Sequence, residues 1–288
     1  MNIPIPLQPL VLADRNLHCS SAFYRIEQAS PRPTFPQPHS HDCYELYVNI
    51  SGDVSFLVND KLYAVQSGDL IIARPGEMHV CIVQSPCLYE SCCFWFYSQR
   101  TTPLTAFADI PDMHHHIRFQ ASDRMRLKEI MQRIYQAEAD NNEMERTAWV
   151  YHLLALLNGT TEPELVSVPA PLPDKLQEIL TYINSSFSEL HSVTDIARCF
   201  YISTATLTRW FREHLKMTPK SYLEARRLAY SKDLLLRGFS VTDVSNITGF
   251  SNCSRFIYVF RKMFGVTPLQ YQKSLRSFPE RLSPEDVL

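Results

Sequence analysis

An internal repeat in the second half of the chain constrains the fold more than any other feature. Ser192-Val193-Thr194-Asp195-Ile196-Ala197 recurs as Ser240-Val241-Thr242-Asp243-Val244-Ser245, 48 positions on. Leu207-x3-Phe211 recurs as Phe256-x3-Phe260, and Thr218-Pro219-x2-Tyr222 as Thr267-Pro268-x2-Tyr271, both 49 positions on. The one-residue slip falls in a turn, where an insertion disturbs least. Such a repeat is one supersecondary unit used twice, and two copies are too few for a solenoid.

Each copy reads as a helix-turn-helix. In the first, Ser192 or Thr194 caps a short helix that carries Ile196 and Ala197 inward. Phe200-Tyr201-Ile202 makes the turn. Ser203 caps a second helix to about His214, with Leu207, Trp210 and Phe211 on one face. In the second copy Gly249-Phe250 turns the chain, and Asn252 or Ser251 caps the next helix. Phe256, Val259, Phe260 and Met263 form its inward face. Residues 221–236 read as one connecting helix, with Tyr222, Leu223, Leu228, Leu234 and Leu235 apolar.

The region from about Asp174 to Arg276 resembles the DNA-binding domain of AraC/XylS-type transcription regulators. The resemblance rests on Gly249-Phe250-Ser251-x4-Phe256-x3-Phe260-Arg261-Lys262-x2-Gly265-Val266-Thr267-Pro268-x2-Tyr271. Three positions depart from that pattern. Lys216 and Tyr201 stand where Gly is usual, and Ser245 replaces Ala.

Charge divides along the same boundary. Residues 174–276 hold 15 Lys and Arg against 8 Asp and Glu, whereas the remainder holds 13 against 22. A basic reader on an acidic body suits a partner that is polyanionic at one end only. None of the eight cysteines forms a C-x2-C pair, and no apolar run reaches the ~18 residues of a membrane span. A cytoplasmic protein with reduced thiols is expected.

Residues 1–36 are Pro-rich, with a strand expected near 21–29. Short β-rich runs follow at 44–50, 54–58, 61–65, 70–73, 80–84 and 89–96, separated by turn signals. This spacing predicts an antiparallel barrel or sandwich. The half also resembles cupin-like sensor domains, through His39-x-His41-x3-Glu45-x6-Gly52 and Gly68-Asp69-x5-Pro75-Gly76-x2-His79. From Ala121 the period turns helical, with Leu127, Ile130, Met131, Ile134 and Tyr135 in one stripe. A second helix starts near Asn141 or Asn142 and carries Ala148, Tyr151, Leu154, Leu156 and Leu157. These stripes can be core or a dimer interface. The resemblance favours a homodimer.

The expected fold is α+β and multidomain: a cupin-like antiparallel β-barrel with two following helices, then an all-α domain with two helix-turn-helix motifs joined by a connecting helix. The expected divisions are a sensing barrel with an N-terminal arm (1–120), a dimerising helical segment (121–158), a Pro-rich linker (159–173), a DNA-binding domain (174–276) and a tail (277–288).

Helical geometry places Ala205, Thr208, Arg209 and Arg212 outward on the first recognition helix. Asn252, Cys253, Ser254, Ile257, Tyr258, Arg261 and Lys262 are outward or early on the second. Arg matches guanine and Asn adenine by paired hydrogen bonds, while Thr and Ser donate to base or phosphate. Thr208, Arg209, Asn252, Ser254 and Tyr258 are therefore expected near bases, and Arg212, Arg261 and Lys262 near phosphates. Cys253 on that surface reads as a small bystander rather than a redox switch.

In the barrel, His39, His41, Glu45 and His79 can hold Zn²⁺, Fe²⁺ or Mn²⁺. They can also hydrogen-bond a sugar-like effector against walls such as Trp95, Phe94 or Tyr47, or be scaffold residues with no ligand role; a metal-free pocket is preferred and no cofactor is assigned. His114-His115-His116 cannot converge on one ion in regular structure and reads as a polar loop. Together these features point to an effector-responsive regulator binding double-stranded DNA, not an enzyme. By resemblance it is an activator contacting RNA polymerase. The alternatives are a metal-dependent cupin enzyme with a helical appendage, or a regulator controlled by a protein partner or by redox.

Overall fold

A computed structural model describes residues 10–11, 17–33, 38–98, 115–159 and 172–277. Ten strands precede nine helices among these residues. The strands are β1 (Leu10–Val11), β2 (Leu17–Ala29), β3 (Arg32–Pro33), β4 (Tyr44–Ser51), β5 (Val54–Val58), β6 (Lys61–Val65), β7 (Leu70–Ala73), β8 (His79–Val83), β9 (Cys87–Ser98) and β10 (His116–Ile117). They form a six-stranded sheet, β1-β2-β9-β4-β7-β10, and a four-stranded sheet, β3-β8-β5-β6. The expected strand at 21–29 is longer at its start and pairs with β9 from Leu17↔Ser98 to Ala29↔Cys87. What read as an arm is, over residues 17–29, part of the sheet.

Alternation along each strand decides what fills each layer. Tyr47, Ile71, Cys93 and Trp95 face inward and meet Phe56, Tyr63 and Cys81 of the other sheet in one buried cluster. Leu46, Val48, Leu70, Ile72, Phe94 and Phe96 point to the opposite face, which is also buried. It is covered by α1 (Ala121–Ala139) and α2 (Glu143–Gly159) through Leu127, Ile130, Met131, Ile134, Val150, Leu153, Leu154, Leu156 and Leu157. The apolar stripes of these helices are thus spent within the chain. Two expected members are corrected. Tyr135 is exposed and packs its ring edge-on to Phe23, and Ala148 is exposed, because the inward face of α2 runs through Val150 and Leu153 instead.

The helical unit comprises α3 (Asp174–Ser186), α4 (Val193–Cys199), α5 (Thr204–Leu215), α6 (Pro219–Leu236), α7 (Val241–Ile247), α8 (Cys253–Phe264) and α9 (Pro268–Ser277). The caps are local and repeat with the sequence. Ser192, Ser203, Ser240 and Asn252 accept the backbone N–H three residues on. Each such cap contributes about 1 kcal/mol. Thr218 and Ser221 close a reciprocal capping box at the start of α6, with Pro219 at the first helical position. Leu228, Leu234 and Leu235 of α6 share a core with Val244, Phe256, Val259 and Phe260 of the second motif.

The helical unit also packs on the barrel. Leu57, Leu62, Met78, Val80 and Ile82, on the outer face of the four-stranded sheet, join one buried cluster with Leu176, Leu180, Phe211 and Tyr222. Both outer faces of the β-structure are therefore covered by helices. The expected linker falls almost wholly, and the tail after Ser277 wholly, outside the described residues.

Two of the three departures from the repeat pattern carry a backbone cost. Tyr201 and Lys216 both lie at φ +54°, in the left-handed region that glycine enters freely. Gly249 keeps the glycine at φ +78°, and a Cβ there would collide with the Ser188 carbonyl oxygen. Gly249→Ala is expected to destabilise the helical unit by at least about 2 kcal/mol in urea unfolding. A loss under about 0.5 kcal/mol would contradict the close approach.

Candidate functional site

Two separate surfaces carry chemistry. The first belongs to the recognition helices. Leu207, Phe211 and Leu215 bury one face of α5, which turns Ala205, Thr208, Arg209 and Arg212 the other way. With Thr204 and Glu213 these four line an open groove of about 690 Å³. On α8, Phe256, Val259 and Phe260 are buried, leaving Asn252, Ser254, Ile257, Tyr258, Arg261 and Lys262 exposed and Cys253 half-buried. The sequence-derived set therefore lies on the solvent faces of the two helices.

Local bonding gives one of these residues a structural role as well. The Asn252 side-chain oxygen accepts the Arg255 N–H at 2.7 Å as the α8 cap. That bond uses one lone pair of the oxygen, so the second lone pair and the amide N–H₂ stay available to a base. Sequence reasoning passed over three residues. Arg255 is ion-paired to Glu224 of α6 and so ties the second recognition helix to the connecting helix. Thr204 and Glu213 border the first groove. Polar side chains one turn from the expected contacts on the same helix face were the available signal.

The second site lies inside the barrel. His39 and His41 precede β4, Glu45 lies in β4 and His79 starts β8. Backbone bonds between His39 and His79, at 3.0 and 2.8 Å, hold the two segments together. Ligand atoms of all four side chains lie within 4.8 Å of one another. Glu45 Oε2 is the hub, 3.0 Å from His41 Nε2 and 3.1 Å from His79 Nε2. The Trp95 indole N–H donates to the same oxygen at 2.8 Å. The fold thus brings together all five residues expected of the barrel site, four of them from the two spacing motifs.

The donor set tests whether a metal ion suits this place. The His79 Nδ1–H donates to the Glu77 carbonyl at 2.8 Å, so Nε2 is the nitrogen turned to Glu45. A bare Nε2 and a carboxylate oxygen are both acceptors, and they approach this closely only across a shared cation, either a proton on His79 or a metal ion. His41 is buried, and neither of its ring nitrogens makes a well-aligned hydrogen bond among the described residues. Burial pushes the His41 imidazole down, and pushes His39 well down with help from the neighbouring imidazoles, so both present neutral nitrogens. Burial by itself would raise Glu45, yet His79 and His41 hold its carboxyl well below the usual range. Burial would lower His79, but Glu45 and the Glu77 carbonyl raise it, so without an ion the His79–Glu45 pair shares a proton; with that proton displaced, three imidazoles and an ionised carboxylate, oriented by Trp95 and Glu77, fit a divalent transition metal.

The His-rich run departs from the expected polar loop. His116 lies in β10, fully buried, and its Nε2–H donates to Asp69 at 2.8 Å, beside Arg118 on the same carboxylate. Burial would raise Asp69, but His116 and Arg118 hold it below its ordinary value. His115 donates to Glu77 at 2.8 Å and accepts from the Tyr63 hydroxyl at 3.1 Å. His114 lies outside the described residues. All eight cysteines are free thiols.

Two known families match the chain over the regions that hold these sites. The family described as AraC-like ligand binding domain matches residues 20–163, and that described as Helix-turn-helix domain matches residues 196–274. The chain belongs to the AraC family of transcription regulators, with a ligand-binding β-domain and a DNA-binding pair of helix-turn-helix motifs. It is 25% identical over 259 residues to the HTH-type transcriptional activator RhaS of Enterobacter sp. (strain 638), covering 86% of this chain and 91% of that protein. It is 24% identical over 269 residues to RhaS of Escherichia coli O81 (strain ED1a), covering 90% and 95%. Among solved structures, ToxT from Vibrio cholerae O395 aligns at 13% identity over 90% of this chain and 99% of that chain, with a TM-score of 0.37. No helix among the described residues is long and apolar enough to cross a membrane.

Proposed function

We propose that this regulator is an effector-responsive activator that acts in the cytoplasm as a homodimer, reads DNA with α5 and α8, and contacts RNA polymerase. One observation carries the DNA reading. Two recognition helices bury their apolar faces against a common connecting helix and turn outward Arg209, Arg212 and the half-buried Thr208 on one, Ser254, Tyr258, Arg261 and Lys262 on the other. In this reading residues 1–120 sense, 121–158 pair with a second copy, 159–173 link, 174–276 bind DNA and 277–288 form a tail. Exposed Met125, Tyr135 and Met144 on α1 and α2 support the pairing surface, since the remaining apolar face is already buried. The activator sense follows the names of the RhaS relatives.

Selection of the purified chain on a random DNA library is expected to return a motif with two contact blocks about 10 base pairs apart. Arg209→Ala is expected to cost about 1–3 kcal/mol and to relax one position of the first block. Binding that is salt-sensitive but yields no motif, with or without candidate effectors, would contradict this reading.

The signal enters at His39, His41, Glu45 and His79, with a divalent transition metal as the ligand that the donor set fits best. Such an ion would supply a fixed positive charge in the barrel. These residues would hold it, with Trp95 and the Glu77 carbonyl orienting two of them. A sugar-like ligand is the second reading, favoured by the wall of Tyr47, Phe56 and Trp95 beside the polar groups. Titration with Zn²⁺ is expected to show one ion per chain, lost in His41→Ala. Trp95→Phe, which removes only the outer hydrogen bond, is expected to weaken it about 10–100-fold. Zn²⁺ binding unchanged in His41→Ala would rule the metal reading out.

A further inference from the structure

The barrel site and the DNA-reading unit meet at one buried lysine. Lys232 lies in α6 and is only 9% exposed. Its ammonium donates to the Ser40 carbonyl at 2.9 Å, across 192 positions of sequence. The rings of Phe264 and Tyr271 face it at 5.4 and 5.7 Å. Among the described residues it has no carboxylate in ion-pair contact; one carbonyl, two ring faces and the more distant charge of Asp42 stand in for its lost water. Burying an ammonium on such terms is expensive, and packing alone would be better served by an apolar residue.

The position of Ser40 gives this cost a purpose. It lies between His39 and His41, two of the four converging side chains. The barrel uses the carbonyls on either side, since His39 O accepts from His79 N–H and His41 O from Gly76 N–H. The Ser40 carbonyl between them points out to α6. Some ten residues earlier, the Tyr222 hydroxyl donates to the Asn59 carbonyl at 2.9 Å. The connecting helix is therefore hydrogen-bonded to the barrel near each end, and only the Lys232 end touches the ligand segment.

We propose that Lys232 is a charge-read latch, through which a divalent cation held by His39, His41, Glu45 and His79 loosens the grip of the barrel on the connecting helix. This rests on the metal reading above. The ammonium and the ion are like charges on either side of one chain segment, in a buried region where screening by water is weak. Drawing His39 and His41 onto an ion also moves the Ser40 carbonyl that holds the ammonium. Cation binding and latch closure therefore oppose each other, and the opposition is reciprocal.

Reciprocity gives the test, on full-length chains and with Zn²⁺ as the probe. Lys232→Met keeps the stem between Phe264 and Tyr271 and removes the charge. It is expected to bind Zn²⁺ about 5- to 150-fold more tightly than wild type, by competition with a chromophoric chelator. Hydrogen exchange should show faster amide exchange in α6 when wild type is saturated with Zn²⁺, and the same increase in Lys232→Met without metal. A merely structural lysine would give a looser, weaker site on removal. Wild-type Zn²⁺ binding that depends on His41 but is unchanged or weakened in a folded Lys232→Met chain would overturn the latch and leave the metal reading intact. Absence of His41-dependent Zn²⁺ binding in wild type would overturn both.

Discussion

Burial of the connecting helix α6 is the constraint on which the rest of the molecule depends. Tyr222 and Leu223 near its start are buried with Leu207 and Phe211 of the first motif, and Leu228, Leu234 and Leu235 with Phe256 and Phe260 of the second. Neither motif has enough apolar surface to hold a fixed orientation by itself; each borrows a side of α6. Their relative position is thus set by side-chain packing and by the Arg255–Glu224 ion pair, rather than by the loops between them. Two recognition helices fixed in this way present a spacing as well as a chemistry to DNA.

The β-domain obeys a related logic. Its strands alternate, but both sides of each sheet are apolar. The residues between the sheets form one core, α1 and α2 cover the outside of the larger sheet, and the helical unit covers the outside of the smaller. A sensor whose outer face is part of the reader's core can pass a change in its interior to the reader without a dedicated arm. The buried carboxylate-imidazole cluster lies on the segment that borders this contact, which is where a change in charge acts most strongly on its neighbours.

Much of this was legible in the sequence, because much of it is local. The caps at Ser192, Ser203, Ser240 and Asn252 reach three residues, and the strands from 54 to 73 are bounded by turns a few residues apart. The convergence of His39, His41, Glu45 and His79 was legible too, since two spacing motifs encode it. What escaped was set by distant partners. His115 and His116 read as a loop because Glu77 and Asp69 lie 38 and 47 positions away. Nothing near Lys232 announces Ser40, and the apolar outer face of the smaller sheet could not be told from an ordinary barrel wall. Tyr135 and Ala148 were misplaced for a different reason. Helical periodicity fixes a stripe but not which edge of it is covered.

The most direct test of the account is a hydroxyl-radical footprint of the full-length chain on its selected site. Two motifs locked to one helix predict two protected windows on the same face of the duplex, centred about 10 base pairs apart. A single window, or two windows on opposite faces, would contradict a rigid paired reader.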